Sequence, residues 1–101
     1  MAKIPRILIV EDDEIIANLI ALMLEKIGYN IIGKSASGEE SIRKSAELEP
    51  DLILMDINLS GQMDGVTAAQ YIFQLFHFPI IFLTGMCDDT LLERAKNAQP
   101  Y

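Results

Sequence analysis

Acidic side chains follow two apolar runs of the chain, and they are the residues best suited to chemistry. Glu11 and Asp12 come directly after one aliphatic run, and Asp56 ends another, with Asn58 two positions later. Close carboxylates raise each other's pKa values unless a cation compensates their charge. Because these ligands are all oxygens, with no His or Cys beside them, they favour a hard ion, Mg²⁺ rather than Zn²⁺.

Phosphoryl transfer is a reaction that such a site could carry out. A carboxylate beside bound Mg²⁺ can attack a phosphoryl group, because the ion offsets the charge of the incoming phosphate. Thr84 and Gly85 follow a further apolar run. The Thr84 hydroxyl and the backbone N–H groups of both residues could bind the phosphoryl oxygens.

The plainer alternative is that the acids are only structural, since acidic residues often cap helix N-termini. We expect that role for Asp13, Glu14 and Asp64. Capping explains Asp56 poorly, because Asp56 ends an apolar run several residues before the next helical pattern. Asp56 therefore stays a candidate for chemistry.

Four short apolar runs are spaced so that they could position these residues. They lie at 7–10, 31–32, 52–55 and 80–83. Three are unbroken rather than alternating, which is typical of strands that are covered on both faces in a parallel sheet. The second run is shorter and more polar, so we expect it at a sheet edge.

Helical patterns separate and follow these runs, over residues 13–27, 38–48, 64–77 and 88–98. Gly28 is the expected end of the first helix, and Ser37 with Glu40 forms a capping box before the second. Apolar residues at helical spacing predict which faces turn inward. They are Ile16, Leu19, Ile20, Met23 and Ile27 in the first helix, Ile42 and Ala46 in the second, Val66, Ala69, Phe73 and Phe76 in the third, and Leu91, Leu92 and Ala95 in the fourth.

Strands that alternate with helices predict an α/β fold, a doubly wound parallel sheet with right-handed crossovers and helices on both faces. Ligands bind such sheets at the carboxyl ends of the strands. The first and third strands are usually neighbours there. We therefore expect Glu11, Asp12 and Asp56 to meet in one small space.

The composition fits one packed domain, with 101 residues, of which 50% are hydrophobic and 23% charged. The net charge of -7 argues against non-specific nucleic-acid binding, which depends on neutralising phosphates with Lys and Arg. No apolar run approaches the roughly 18 residues of a membrane span. The run that ends at Glu11 is too short for a signal-peptide core, so we expect a cytoplasmic protein without membrane contact.

Taken together, the motifs resemble one known family, the receiver domain of two-component response regulators. The resemblance lies in ILIVEDDE at 7–14, LILMDINL at 52–59, MDG at 63–65 and IIFLTG at 80–85. These segments cover most of the chain in the family's order and spacing, and jointly they are highly specific. The resemblance implies a receiver domain over residues 1–101, with a flavodoxin-like fold and strand order 2-1-3-4-5.

The resemblance also implies a role for each candidate residue. Asp56 would accept a phosphoryl group from a sensor histidine kinase, and the resulting switch would control an output domain or a downstream protein. Asp12 would bind Mg²⁺ directly, Glu11 through water and Asn58 through its backbone carbonyl, while Thr84 would be the switch hydroxyl. Such a domain is not an enzyme, although it takes part in its own phosphorylation and dephosphorylation. A homodimer is left open.

The sequence departs from the family pattern after the fourth helix. The family has a fifth strand and a fifth helix there, with a Lys that pairs with the phosphate and a switch aromatic residue, and none of these is present in the sequence. Tyr101 falls just before the expected aromatic position. We expect either that more chain exists beyond Tyr101, or that a partner covers the fourth strand and the first helix around Ile16, Ile20 and Met23.

Two other classes of protein remain as alternatives. Residues 56–60 loosely resemble the nucleophile loop of haloacid-dehalogenase-type phosphatases, but that loop should follow the first strand and carry a general-acid Asp where Asn58 stands. A flavin-binding electron carrier of the same topology would need a Ser/Thr-rich phosphate loop after the first strand. This sequence has four acids there, at 11–14, which would repel the phosphate without a metal ion.

Overall fold

The computed structural model describes residues 3–59 and 61–83, where four strands alternate with three helices. The elements, in chain order, are β1 Arg6–Val10, α1 Glu14–Lys26, β2 Asn30–Ser35, α2 Gly38–Leu48, β3 Leu52–Asp56, α3 Gly65–Phe76 and β4 Ile80–Leu83. The four predicted strands and the first three predicted helices are confirmed. Thr84 and the fourth predicted helix lie outside the described residues. No helix in the described part is long and apolar enough to cross a membrane.

The described strands form one parallel sheet in the order β2-β1-β3-β4, as predicted. β2 lies at an edge, which agrees with its shorter and more polar run. β1 and β3 are neighbours, and Val10 of β1 lies opposite Met55 of β3. The residues that follow β1 therefore meet the end of β3 at the same edge of the sheet.

Helices cover both faces of this sheet. In β1, Leu8 and Val10 belong to a core that α3 completes, whereas Ile7 and Ile9 belong to a second core that α1 completes. Successive side chains of a strand point to opposite faces. Because both faces are buried, the apolar runs of β1 and β3 are unbroken, which is why the sequence predicts a doubly wound sheet.

The three described helices begin at the predicted caps. The Asp13 side chain accepts hydrogen bonds from two N–H groups in the first turn of α1, and Glu14 is the first residue of that helix. Ser37 Oγ accepts the Glu40 N–H at 3.1 Å, and Asp64 Oδ1 accepts a first-turn N–H of α3 at 2.8 Å. Local capping chemistry therefore fixes where each helix starts.

The face that α1 turns to the sheet differs from the predicted one. The fully buried positions are Ala17 and Ala21. Of the predicted face, Ile16, Leu19, Met23 and Ile27 are exposed and only Ile20 is partly buried. The inner face is narrower than the spacing predicts, because α1 is apolar around most of its circumference and hydrophobic spacing alone does not select a face. Ile16 and Met23 are among the residues that the sequence interpretation expects further chain or a partner to cover. The small alanines allow the helix to lie close to the sheet.

The inward face of α2 is also only partly as predicted. Ile42 packs against the core, but Ala46 is exposed. The buried positions are Gly38, Ser41 and Ser45. Ser41 donates its hydroxyl hydrogen to the Gly38 carbonyl at 2.6 Å, a local bond that allows a small polar side chain to be buried in a helix. Hydrophobic periodicity overlooks such serines.

Candidate functional site

Three carboxylates lie together at the carboxyl edge of the sheet. Glu11 and Asp12 follow β1, and Asp56 is the last residue of β3. Ligand oxygens from the three residues all lie within 4.8 Å of one another. We refer to Glu11, Asp12 and Asp56 as the acidic cluster. The structure brings them together because β1 and β3 are paired in parallel register, so the two strands end side by side.

The backbone around Glu11 holds its side chain inside the site. Glu11 is only 8% exposed. Its N–H donates to the Ser35 carbonyl at 2.9 Å, which ties the end of β1 to the end of β2. Its carboxylate Oε2 accepts the Asp13 N–H at 3.0 Å. Asp13 thus caps α1 with its side chain and orients Glu11 with its backbone.

The pKa of Glu11 is raised from 4.5 to about 7. Burial is the largest cause, because a low-dielectric environment disfavours the ionised form. The hydrogen bond from the Asp13 N–H opposes this rise, whereas hydrogen bonding with Asp12 and both the charge and the hydrogen bonding of Asp56 add to it. In the absence of a cation, the acidic cluster therefore holds a proton on Glu11 near neutral pH.

Asp56 and Asn58 form a turn at the end of β3. Asp56 is half-buried and Asn58 is exposed. Asp56 Oδ1 accepts the Asn58 N–H at 3.1 Å, which restrains the carboxylate beside the other two acids. The role of the Asn58 carbonyl as a metal ligand stays a prediction, and Thr84 lies outside the described residues.

The donor set of the acidic cluster fits a divalent cation. All three groups offer carboxylate oxygens, the ligands that hard cations such as Mg²⁺ prefer, and no His or Cys of the described residues belongs to the cluster. A cation beside Glu11 would favour its ionised form and so lower the pKa that burial raises. The cluster is therefore a site that could hold a metal ion.

The sequence places Gly65 in the MDG motif and predicts only a flexible turn at 61–65 before a helix, whereas the structure makes Gly65 part of that helix and brings it to this site. Gly65 is the first residue of α3, and its N–H donates to the Ile57 carbonyl at 3.0 Å. The turn around Asp56 is thereby joined to the start of α3. A glycine directly after the Asp64 cap is the signal in the sequence that could have indicated a close backbone approach.

The fold and the acidic cluster define a doubly wound α/β protein with its site at the carboxyl edge of the sheet. A comparison with protein-family models matches residues 7–100 to the response regulator receiver domain. The chain belongs to this family, which confirms the resemblance seen in the motifs. The phosphatase and flavin-carrier alternatives lose their support, because each would place the chain in another family.

Two curated relatives carry the words "transcriptional regulatory protein" in their names. PdtaR from Mycobacterium tuberculosis is 37% identical over 98 residues, which cover 96% of this chain and 47% of PdtaR. LiaR from Bacillus subtilis is 38% identical over 86 residues, which cover 83% of this chain and 40% of LiaR. The chain therefore spans less than half the length of these relatives.

A solved receiver domain has the same fold. It is the signal receiver domain of a modulated diguanylate cyclase from Desulfovibrio desulfuricans G20, with a TM-score of 0.91 and 39% sequence identity. The match covers 97% of this chain and 78% of that one. A chemotaxis protein from Vibrio cholerae, CheY4, matches with a TM-score of 0.84 at 22% identity, which extends the likeness of fold to a distant sequence. The flavodoxin-like fold is confirmed.

Proposed function

We propose that this receiver domain is the phosphoacceptor of a two-component system, and that Asp56 receives a phosphoryl group from a sensor histidine kinase in the presence of Mg²⁺. The observation that carries the proposal is the convergence of three carboxylates within 4.8 Å at the carboxyl edge of the sheet. Membership in the receiver family supports the same role.

Asp56 is suited to be the nucleophile because it ends β3 at the carboxyl edge and is restrained by the Asn58 N–H. In the transfer, a carboxylate oxygen of Asp56 forms a bond to phosphorus while the bond from phosphorus to the donor's leaving group breaks. The leaving group keeps the electron pair of that bond, and an acyl phosphate forms. Bound Mg²⁺ supplies positive charge for the phosphoryl oxygens.

The other members of the site divide the remaining tasks. Asp12 would bind the ion directly, and Glu11, which is buried and hydrogen-bonded to the Asp13 N–H, would act through water. Asn58 would contribute its backbone carbonyl. Thr84 would be the switch hydroxyl that binds the phosphoryl group and moves with it.

The proposed partners are a sensor histidine kinase and an output domain or downstream protein. The names of PdtaR and LiaR refer to transcriptional regulation, and the named structural neighbour comes from a diguanylate cyclase, so receivers of this kind serve different outputs. We infer that this domain controls an output by switching and does not itself bind nucleic acid or act as an enzyme. A cytoplasmic location stays a prediction.

Acceptance of phosphate from acetyl phosphate with Mg²⁺ tests the proposal. We expect one phosphoryl group per chain, on Asp56, and none on Asp56→Asn, which keeps the shape but loses the nucleophile. The control is Glu47→Gln, which removes an exposed carboxylate from α2 and should leave the reaction unchanged. A phosphopeptide map that places the label on Ser60 or His77 would contradict the proposal.

A further inference from the structure

Gly65 lies closer to the backbone of Asp56 than any side chain would permit. A Cβ atom at Gly65 would overlap the carbonyl oxygen of Asp56, and it would lie 2.8 Å from the Asp56 carbonyl carbon and 3.0 Å from Ile57 Cα. All three are main-chain atoms, which cannot rotate away as the end of a flexible side chain can. A larger residue at position 65 must therefore displace either α3 or the peptide that joins Asp56 to Ile57.

Position 65 requires a glycine because there is no room for a Cβ atom, and not because of the backbone conformation there. Among the described glycines, those with positive φ are Gly28 and Gly61, and neither has an atom within 4 Å of the position that a Cβ would occupy. Those two glycines serve the conformation of turns. Gly65 is helical, so its lack of a side chain serves the contact with Asp56.

Both the first turn of α3 and the Asp56 peptide are held in place by other contacts. On the helix side, the Gly65 N–H donates to Ile57 O at 3.0 Å, the Asp64 side chain caps α3, and Val66 is fully buried. On the strand side, Asp56 belongs to β3, which lies between β1 and β4 in the sheet. The Asp56 peptide is therefore held between the sheet and the first turn of α3.

We propose that Gly65 is a positioning residue for phosphoryl acceptance, which it serves by setting where the Asp56 backbone lies and hence where the Asp56 carboxylate stands relative to Glu11 and Asp12. The inference rests on the proposed function, in which Asp56 is the phosphoacceptor. A misplacement of about 1 Å in a reacting group can lower a rate by about a hundredfold. A methyl group at position 65 forces a shift of that order.

Gly65→Ala tests the proposal, with Gly61→Ala as the matched control in the same β3–α3 connection. Gly61→Ala strains the backbone at positive φ, but its Cβ would have no atom of the described residues within 4 Å beyond the adjacent residues of the chain. Acetyl phosphate is the donor, at saturating Mg²⁺ and at a temperature where each variant is folded by circular dichroism. We expect Gly65→Ala to lower the maximal phosphorylation rate by at least about tenfold, with a smaller change in the half-saturating donor concentration. Gly61→Ala should stay within about twofold of wild type, because strain without contact lowers only stability.

A second pair of variants tests the contact between Gly65 and the Asp56 backbone without a steric clash, in case Gly65→Ala does not fold. Asp64→Ala removes the cap of α3, whereas Asp64→Asn keeps a capping side chain. We expect slower phosphorylation for Asp64→Ala and recovery of the rate for Asp64→Asn. Folded Gly65→Ala with the wild-type rate, or Asp64→Ala with the wild-type rate, would overturn the positioning role. A wild-type chain that accepts no phosphate would instead overturn the proposed function.

Discussion

The charge of Glu11 depends on the other groups that occupy the site. It is almost fully buried, and its pKa of about 7 reflects burial first and the neighbouring acids second. In the unfolded chain the same carboxyl has a pKa near 4.5. Between these two values the folded protein keeps a proton that the unfolded chain has released.

This difference predicts a pH dependence of stability in metal-free buffer. The folded state binds more protons between pH 4.5 and about 7, so the contribution of Glu11 to the free energy of unfolding falls as the pH rises through this window. The full effect is on the order of 3 kcal/mol. Glu11→Gln has no such proton, so it should gain stability relative to wild type between pH 5 and pH 7.5. Urea unfolding with EDTA measures this, and an equal difference between the two proteins at both pH values would contradict it.

Asp12 provides a test of the metal site at the same scale. Asp12→Ala should abolish Mg²⁺ binding in a calorimetric titration while the fold is retained. In metal-free buffer its melting temperature should be equal to or above that of wild type, because a repelling charge is removed. Asp13→Asn is the control, since it removes the adjacent charge and keeps a capping side chain. Unchanged Mg²⁺ affinity in Asp12→Ala would show that the ligand assignment is wrong.

At the scale of elements, α1 shows how packing overrides an apolar pattern. The helix has apolar residues on most sides, yet it places Ala17 and Ala21 against the sheet and leaves larger side chains exposed. Helices pack most closely where their side chains are small. The capping residue Asp13 fixes where α1 begins, but the shape of the sheet surface fixes how the helix is rotated.

The rotation of α1 predicts a large effect on stability at one position and a small effect at another position two residues away. Ala21→Leu should destabilise the protein by about 1–3 kcal/mol, because extra methylene groups do not fit a packed interface. Met23→Ala should change the free energy of unfolding by less than about 0.5 kcal/mol, because Met23 is exposed and surface changes are usually small. Chemical denaturation of both variants decides between this orientation and the face expected from hydrophobic spacing. If Met23→Ala lowered the free energy of unfolding more than Ala21→Leu does, the face expected from hydrophobic spacing would be favoured.

At the scale of the whole molecule, the described surface carries a large apolar area on α1. Its exposed members are Ile15, Ile16, Leu19, Leu22 and Met23, together with Ile27 at the C-cap of the helix. Exposed apolar side chains that are grouped on one element mark a surface that can associate with another molecule. Among the described strands, β4 lies at a sheet edge, and unprotected edges can also pair with other chains.

We therefore predict that a protein consisting of residues 1–101 associates as its concentration rises. Sedimentation should show a mass above 11.3 kDa at high concentration. The double variant Leu19→Gln and Met23→Gln should shift the protein towards the monomer, whereas Ala46→Gln, at an exposed position of α2, should not. A monomer of 11.3 kDa at every concentration, with a sharp thermal transition, would contradict this prediction.

The sequence by itself determined the features that depend on neighbouring residues. Unbroken apolar runs predicted the strands. The capping residues predicted where the helices start, at Asp13, Ser37 and Asp64. The alternation of strands with helices predicted a parallel sheet in which the ends of neighbouring strands bring the acidic residues together. These signals are local, because capping bonds and strand periodicity act over a few residues. They also carried the family resemblance.

Only the tertiary structure decided which surfaces meet. It selected Ala17 and Ala21 as the inner face of α1, buried Ser45 in place of Ala46, and pressed Gly65 against the Asp56 backbone. None of these follows from spacing, because each depends on the shape of an element that lies elsewhere in the chain. The raised pKa of Glu11 belongs to the same class, since its main cause is burial by the assembled fold.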